Sequence, residues 1–473
     1  MSTNPQARYV QGNILGHLIQ AAAASSVGML AIFLVDLADL YFISLLGVPQ
    51  LAAAVGFSGM LFFLAASIGM ALSVAASTLV SQALGQNNPE KASQYFLDVT
   101  VFALGLGIVV TVMLHLSAPS LLSLLGARGE VHDMALNYFR IVNYSLPLLL
   151  LGMTSGAGLR ASGAPGLSMR STLWSGAVNA LLDPLFIFGL WVIPGMGLDG
   201  AALATVCSRI ALLLASGYGA VVTKQLLRGA RIVRVPHSFG PVLEIAFPSL
   251  VTSLSTPIGS AFVTNRLAVY GDEVIAGVSV FGRILPLAFV GLFTLTMALS
   301  PVVGQNFGAQ QFDRIRLALR DAAILSFAYG IPVAAILAFS ASALANLFNL
   351  SGDAAEVFYF YCRVMAFTYG FYGLHLASTQ TFTNIGHPTW STIANLVRDL
   401  LFMVQLVLWL GSTANGVLIG QYGATILSGT LAMAVAWIVV GRLGRSAASS
   451  QAPTVTAGKF HRPVTPHSVV RGH

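Results

Sequence analysis

Four carboxylates stand where a carboxylate is expensive. Asp36, Asp39, Asp183 and Asp399 lie deep inside long apolar runs of a 473-residue chain that has only 16 acidic residues. A charge near the centre of a bilayer costs roughly 2.5–3.5 kcal/mol or more, so such groups usually face a protein interior and work there. Desolvation and like-charge neighbours both favour the protonated carboxyl, which lets a buried acid exchange protons. Asp36 and Asp39 are spaced i, i+3, and Asn179 and Asp183 i, i+4. On helices, each pair shares a face. Pro184 follows Asp183 and removes a backbone donor, which loosens the helix beside the carboxylate. Three carboxylates and an amide are hard oxygen ligands that suit a shared proton or a sodium ion. The competing reading is a hydrogen-bond cluster that only orients its two helices.

The elements that hold these residues are membrane spans. The chain is 56% hydrophobic and 8% charged, with mean hydropathy +0.81. Soluble domains carry roughly 25% charged residues, so that class is excluded. A formal charge of +7 in a membrane chain reports cytoplasmic loops rather than nucleic acid. Cys207 and Cys362 are too far apart for a disulfide framework or a metal-ligand spacing. The first apolar run, Leu15 to Leu46, is too long for a signal-peptide core and reads as the first span. A span needs roughly 20 apolar residues. Twelve runs qualify, centred near residues 30, 67, 105, 147, 179, 212, 256, 290, 326, 369, 400 and 428. The polar, proline-bearing end from 447 to 473 reads as a disordered cytoplasmic tail. Its His461, His467 and His473 have no structured element to fix a metal geometry.

Lys and Arg positions set the orientation. Arg8, Lys91, Arg160, Lys224, Arg228, Arg314, Arg320 and Arg442 fall on one side. Asp199, Asp272, Glu273, Asp353 and Glu356 fall on the other. Twelve spans with both termini in the cytoplasm satisfy that asymmetry, and an odd number does not. The chain also repeats itself at a shift of 223 residues. Gln82 and Gly85 match Gln305 and Gly308, Tyr138 and Arg140 match Tyr361 and Arg363, and Gly163 and Pro165 match Gly386 and Pro388. Six spans per half insert the same way up, so the repeats are parallel. The expected architecture is an all-α membrane protein of two pseudo-symmetric six-helix lobes around a central cavity. The N-terminal lobe takes residues 1–223, a cytoplasmic linker 224–241, and the C-terminal lobe 242–446.

The repeat breaks at the acids. The shift carries Asp39 to Phe262 and Asp183 to Leu406, neither of which titrates, so a cation site belongs to the N-terminal lobe. Arg140 and Arg363 occur in both halves, which favours a structural role in snorkelling or carbonyl binding. Asp399 adjoins Arg398, but neighbouring residues do not face each other on a helix, so partners elsewhere compete. His375 reads as a hydrogen-bonded core histidine rather than a proton relay, because no other titratable group accompanies it.

Five stretches carry a family resemblance. VDLADLYFISLLG (35–47), LRASGAP (159–165), NALLDPLFIFG (179–189), GLDGAALAT (197–205) and SPVVGQNFGA (300–309) resemble, in order, motifs of MATE (multidrug and toxic compound extrusion) transporters. The resemblance covers about residues 10 to 445. It implies a secondary active multidrug exporter of cationic or amphiphilic organic compounds by antiport with H+ or Na+. The family's first-helix acid falls on Asp39, its fifth-helix Asn and Asp on Asn179 and Asp183, a sixth-helix Thr on Thr205 and a fourth-helix Tyr on Tyr138. Asp39, Asn179, Asp183 and Thr205 would then hold Na+ if sodium is the ion. The seventh span, IAFPSLVTSLSTPIGSAFVTNRL, has no acid, which resembles the DinF-like branch. Asp36 departs from a usual Asn and adds a carboxyl to the coupling set.

The rivals are weaker. GMGLDG (195–200) is not the GxGD of intramembrane proteases, and no GxxxxGK[ST] phosphate loop is present, so neither an enzyme nor an ATP-driven pump is expected. The alternative is a lipid-linked oligosaccharide or lipid flippase of the same superfamily. Expected partners are small organic substrates and the lipid bilayer, with no nucleic acid and no cofactor beyond the coupling ion. The expected state is a monomer in a bacterial inner membrane.

Overall fold

The computed structural model describes residues 7–190 and 193–451. Twelve helical spans follow one another: α1 Ile14–Ser44, α2 Pro49–Gly85, α3 Pro89–Leu124, then α4 in two pieces, Gly129–Asn143 and Leu146–Ala161. After these come α5 Pro165–Phe188, α6 Leu198–Tyr218 and α7 Phe239–Ala268. The span α8 comprises Asp272–Ala288 and Val290–Gly308, and α9 is Phe312–Leu347. The span α10 comprises Gly352–Arg363 and Tyr369–Asn384, joined by a 3-10 turn, Met365–Thr368. The span α11 runs Pro388–Leu396 and Met403–Leu410 around a π-helical stretch, Val397–Phe402, and α12 is Ala414–Gln451. Two short strands, β1 Gly189–Leu190 and β2 Ile193–Pro194, form a small hairpin between α5 and α6. The tail expected from residue 447 is helical as far as Gln451. The stretch before Pro453 holds good helix formers and no breaker. From residue 452 the expected tail lies outside the described residues.

Local signals set the boundaries. Proline opens α2, α3, α5 and α11, where its missing N–H is no loss. Asn88 caps α3, its side chain accepting from the Lys91 N–H at 2.9 Å. Gly163 (φ +75°) and Gly386 (φ +87°) end α4 and α10 in the left-handed conformation, two residues before the next proline. Among the described residues, nine helices are long and apolar enough to cross a membrane. Of the other three spans, α4 and α10 are interrupted, and α5 carries Arg170, Asn179 and Asp183. Large apolar side chains such as Leu116, Leu181 and Phe339 are exposed, as lipid-facing residues must be.

The lobes, α1–α6 and α7–α12, meet along the basic edge of the bundle, and residues related by the 223-residue shift meet there. Ser77 and Ser300 share a hydrogen bond at 3.0 Å. The Gln82 amide donates to the Asn384 carbonyl, and the Gln305 amide to the Ala161 carbonyl, each at 2.8 Å and each into the other lobe. A side chain at Gly85 would strike the Gln305 carbonyl, and one at Gly308 the Gln82 carbonyl. The N-terminal segment closes this seal, with the Tyr9 N–H donating to Gln305 Oε1 at 2.7 Å. Farther up, Ser26 of α1 bonds to Thr294 of α8 at 2.7 Å.

Toward the opposite edge the lobes part. The outer piece of α8, Asp272–Ala288, packs on α10 and α7 of its own lobe and on nothing substantial in the other. A cleft therefore runs between the lobes, closed at the basic edge.

Candidate functional site

The N-terminal lobe assembles its polar residues by close helix packing. On α5, Gly176 lies against α1: a Cβ there would sit 3.1 Å from Val35 Cγ2. Gly28 of α1 similarly faces the Met169 backbone of α5. Asp39 is one turn beyond Val35, and Asp183 two turns beyond Gly176, so the close approach of α1 and α5 holds the two acids within about one turn of each other. The turn from α5 to α6 is equally constrained. The N–H groups of Met196 and Gly197 donate to the carbonyls of Phe186 and Ile187 at 2.9 and 3.1 Å. Gly197 has φ +55°, and any side chain at Gly200 would strike the Phe186 carbonyl. The stretch GLDGAALAT thus fixes α6 tightly on α5 and brings Thr205 toward Asp183. Asn137 of α4 donates to Asp199 at 2.7 Å and ties a third helix to this turn.

The carboxyls of Asp39 and Asp183 lie within hydrogen-bonding reach of each other. Asp183 is fully buried and Asn179 nearly so, and the Asn179 amide donates to Asp183 Oδ1 at 3.4 Å. Asp39 is half-buried and forms the open side of the pair. Tyr138 turns its hydroxyl toward Thr205, whose own hydroxyl donates to the Ala201 carbonyl at 3.1 Å. Asp39 Oδ1 and Asp183 Oδ2 are buried without a hydrogen-bond donor among the described residues. Asp36 does not join them. It is exposed, one turn before Asp39 on α1. The expected trio of acids is therefore a pair with a third carboxyl at its rim. Among the described residues no three His, Cys, Asp or Glu side chains converge on a metal position.

Arg209 completes the surroundings, and the sequence reading passed over it. It stands one turn after Thr205 on α6, and its Nη1 donates to the Val142 carbonyl at 3.1 Å and to Ser145 Oγ at 2.9 Å. Those groups flank the break in α4, where the helix cannot satisfy its own carbonyl. The guanidinium also lies 5.4 Å from the Phe62 ring. A lone arginine in the apolar run TVCSRIALLL, i+4 from Thr205, was the available signal.

The C-terminal lobe holds a different polar group. His375 is fully buried and satisfied on both ring nitrogens, by Asn395 Oδ1 at 3.1 Å and Ser428 Oγ at 2.6 Å. That is a core histidine. Arg398 pairs with its neighbour Asp399 through two bonds, Nε to Oδ1 at 2.7 Å and Nη2 to Oδ2 at 3.0 Å. The spacing rule that argued against this pairing concerns Cβ positions, and an arginine is long enough to curl back on the next residue. Arg320 does the same with Asp321 at 2.9 Å. Ser255 and Thr256 of α7 close on the Arg398–Asp399 pair. Arg363 bonds to Ser342 at 3.1 Å and covers the Tyr359 ring, whereas Arg140 buries its Nε without an acceptor among the described residues. The matching arginines are therefore not equivalent in their contacts.

Comparison with known proteins agrees with this architecture. The MatE family model matches residues 24–185 and 248–407, one segment in each lobe. The chain is 28% identical to the FAD transporter of Shewanella oneidensis, over 85% of this chain and 88% of that one. It is 25% identical to the probable multidrug resistance protein YoeA of Bacillus subtilis (74% and 77% covered) and 23% identical to the multidrug export protein MepA of Staphylococcus aureus (80% and 84%). In fold it matches a multidrug resistance MATE transporter solved in an outward-facing conformation, with TM-score 0.86 at 22% identity, covering 94% of this chain and 100% of that one. Two parallel lobes of six spans, a cleft between them and a family match in each half place this chain in the MATE family of transporters.

Proposed function

We propose that this chain is a secondary active exporter of amphiphilic organic compounds, driven by a cation that enters through Asp39 and Asp183. The observation that carries the reading is that the pair holds buried carboxyl oxygens, Asp39 Oδ1 and Asp183 Oδ2, with no donor among the described residues. Two carboxylates held together out of water repel strongly, and a shared proton or a bound monovalent cation removes the repulsion. The uptake and release of that cation is then a switch whose setting depends on the gradient across the membrane. A proton is the favoured ion. Among the described residues no third His, Cys, Asp or Glu joins the pair to complete a metal-ion shell, whereas a proton bridging two oxygens needs no further ligands.

The basic edge faces the cytoplasm by the distribution of Lys and Arg, which supports a cleft open outward and both termini on the cytoplasmic side of a bacterial inner membrane. Cation binding to Asp39, the half-exposed member of the pair, would change how α1 packs on α5 and so the shape of the cleft wall. Relatives named as an FAD transporter and as multidrug export proteins support a substrate class with flat ring systems.

The test is export of ethidium from inverted membrane vesicles under an imposed pH gradient or an imposed sodium gradient, for wild type, Asp39→Asn and Asp183→Asn. Export that needs the pH gradient alone and stops in both variants is the expected result. Dependence on sodium would reassign the pair as a sodium site. A variant that exports at the wild-type rate would remove the acids from the mechanism.

A further inference from the structure

The cleft has two unlike walls. The N-terminal wall carries Asp36 and Asp39. The C-terminal wall carries Arg283, on the outer piece of α8, and its position on that helix is decisive. Gly282 lies eighteen residues, five turns, before Ser300 on one face of the helix, and Ser300 meets Ser77 of the other lobe at 3.0 Å. Arg283 lies eleven residues, three turns, before Thr294, which meets Ser26 at 2.7 Å. Pro286 removes one bond, to the Gly282 carbonyl, and Phe289 marks a turn between the two pieces, but the chain is bridged there by Phe289 N to Leu285 O and Phe293 N to Phe289 O at 3.0 Å each, so the two pieces stay in helical succession. The face that seals the lobes at the basic edge therefore continues upward as the cleft wall and presents Arg283 there.

The composition of that face agrees. Its exposed residues Ala276, Ser279, Gly282 and Arg283 are small or polar, with Leu287 at the base of the piece the large apolar exception, where a lipid-facing strip would be large and apolar throughout. The buried side of the same piece holds Val274 and Phe281, the latter stacked on Tyr361 at 4.2 Å. Arg283 is exposed and has no hydrogen-bond, ion-pair or aromatic partner among the described residues. An arginine in a membrane-spanning helix without a partner is costly and marks a ligand path. The repeat sharpens the point, because the shift carries Arg283 to Met60, also exposed but uncharged. The charge is a feature of one wall, as the acids are of the other. In the same lobe Arg398 is already neutralised by Asp399, and Arg266 near the outer end of α7 buries an Nε that has no acceptor among the described residues, whereas Arg283 is exposed.

We propose that Arg283 binds an anionic group of the exported molecule, a phosphate or carboxylate, so that the substrate class extends to amphiphiles joining a flat ring system to a negative charge. A guanidinium presents a planar fork of donors that matches both groups. This rests on the reading of the chain as an exporter. The anion would sit on the wall opposite the acids, so it would not compete with the coupling cation.

The experiment is fluorescence titration of the full chain in nanodiscs with flavin mononucleotide and with riboflavin, probes that differ by one phosphate. Wild type is expected to bind the phosphate-bearing probe at least about tenfold more tightly, the ratio one charge-assisted contact supplies. Arg283→Gln is expected to erase that preference, and Arg283→Lys to restore part of it. Because Arg283 is exposed and unpartnered, its replacement leaves no buried group unpaired, and a melting curve checks that the variant is folded. Equal affinity of wild type for both probes overturns the proposal, and so does a preference that survives Arg283→Gln. Ethidium export under the imposed gradient tests the exporter reading separately: a chain that prefers the phosphate-bearing probe but exports nothing would overturn that reading and leave the anion site standing.

Discussion

In the N-terminal lobe, Asp39 and Asp183 press two carboxyls together with no ion pair among the described residues. In the C-terminal lobe, Asp399 lies under the double fork of Arg398, and His375 is bonded on both nitrogens. The scaffolds are nearly the same: Tyr138 and Thr205 of one lobe correspond to Tyr361 and Ser428 of the other. What differs is whether charge is balanced. A balanced buried pair holds one arrangement, since breaking it strands a charge at a cost of about 3–5 kcal/mol. An unbalanced pair of acids, on the proposed reading, is stable in one arrangement with the cation and in another without it, and the membrane gradient chooses between them. Under the proposed function the first lobe switches and the second stays fixed.

The strongest way to break that comparison is at the acids. Asp39→Asn and Asp183→Asn should each reduce gradient-driven export to the level of vesicles lacking the protein, with melting temperatures at or above wild type because repulsion is relieved. Loss of folding instead of loss of coupling would make the pair structural.

Next in size is the seal. Gly85→Leu and Gly308→Leu each force a side chain into a carbonyl of the other lobe, and overpacking of this kind costs about 1–3 kcal/mol. The expected readouts are a lower melting temperature and faster labelling of a cysteine placed at Ser77. Unchanged labelling would show that the seal opens by another route.

A matched pair sharpens the lobe difference further. Gly200 packs on the Phe186 carbonyl, but its repeat partner Gly423 has only Leu406 Cδ1 at 3.6 Å, ordinary contact. Gly200→Ala should cost about 1–3 kcal/mol and slow export by displacing Thr205. Gly423→Ala should stay within about 0.5 kcal/mol. Equal effects in chemical denaturation would deny that α6 is specially constrained.

The smallest effect is expected at His375. His375→Gln can keep one of the two hydrogen bonds, so stability should fall by about 1 kcal/mol while the dependence of export on pH keeps its shape. A displaced pH profile would return the histidine to the proton path.

Much of this was legible in the sequence, for identifiable reasons. Hydropathy and the Lys/Arg asymmetry give twelve spans, because bilayer thickness and loop charge constrain length and orientation independently of packing. Asp39 and Asp183 stand out because acids are rare in apolar runs. Asp36 looked equivalent to Asp39 because spacing tells which face a residue shares, not which side of that face is covered. Arg283 sits in an apolar run as plainly as the acids do, yet its meaning depends on which way the helix face points, and only the seal contacts supply that. The break in α4 at Tyr144 was invisible, since hydropathy runs straight across it. The 223-residue shift identified equivalent residues, but equivalence is not contact. That Gln82 reaches the end of α10 and Gln305 the end of α4 required the coordinates.

The seal has a consequence for how the two halves can change over time. Ser77 meets its own repeat copy Ser300, and the other contacts come in reciprocal pairs, Gly85 against Gln305 with Gly308 against Gln82, and Gln82 onto Asn384 with Gln305 onto Ala161. Such an interface is isologous, the kind that closes two identical subunits about a two-fold axis. A six-helix half carrying one serine, one glutamine and one glycine has every partner it needs to dimerise with itself. Substitutions in the outer half of either lobe leave those partners in place, so acids can accumulate on one wall and an arginine on the other without weakening the closure.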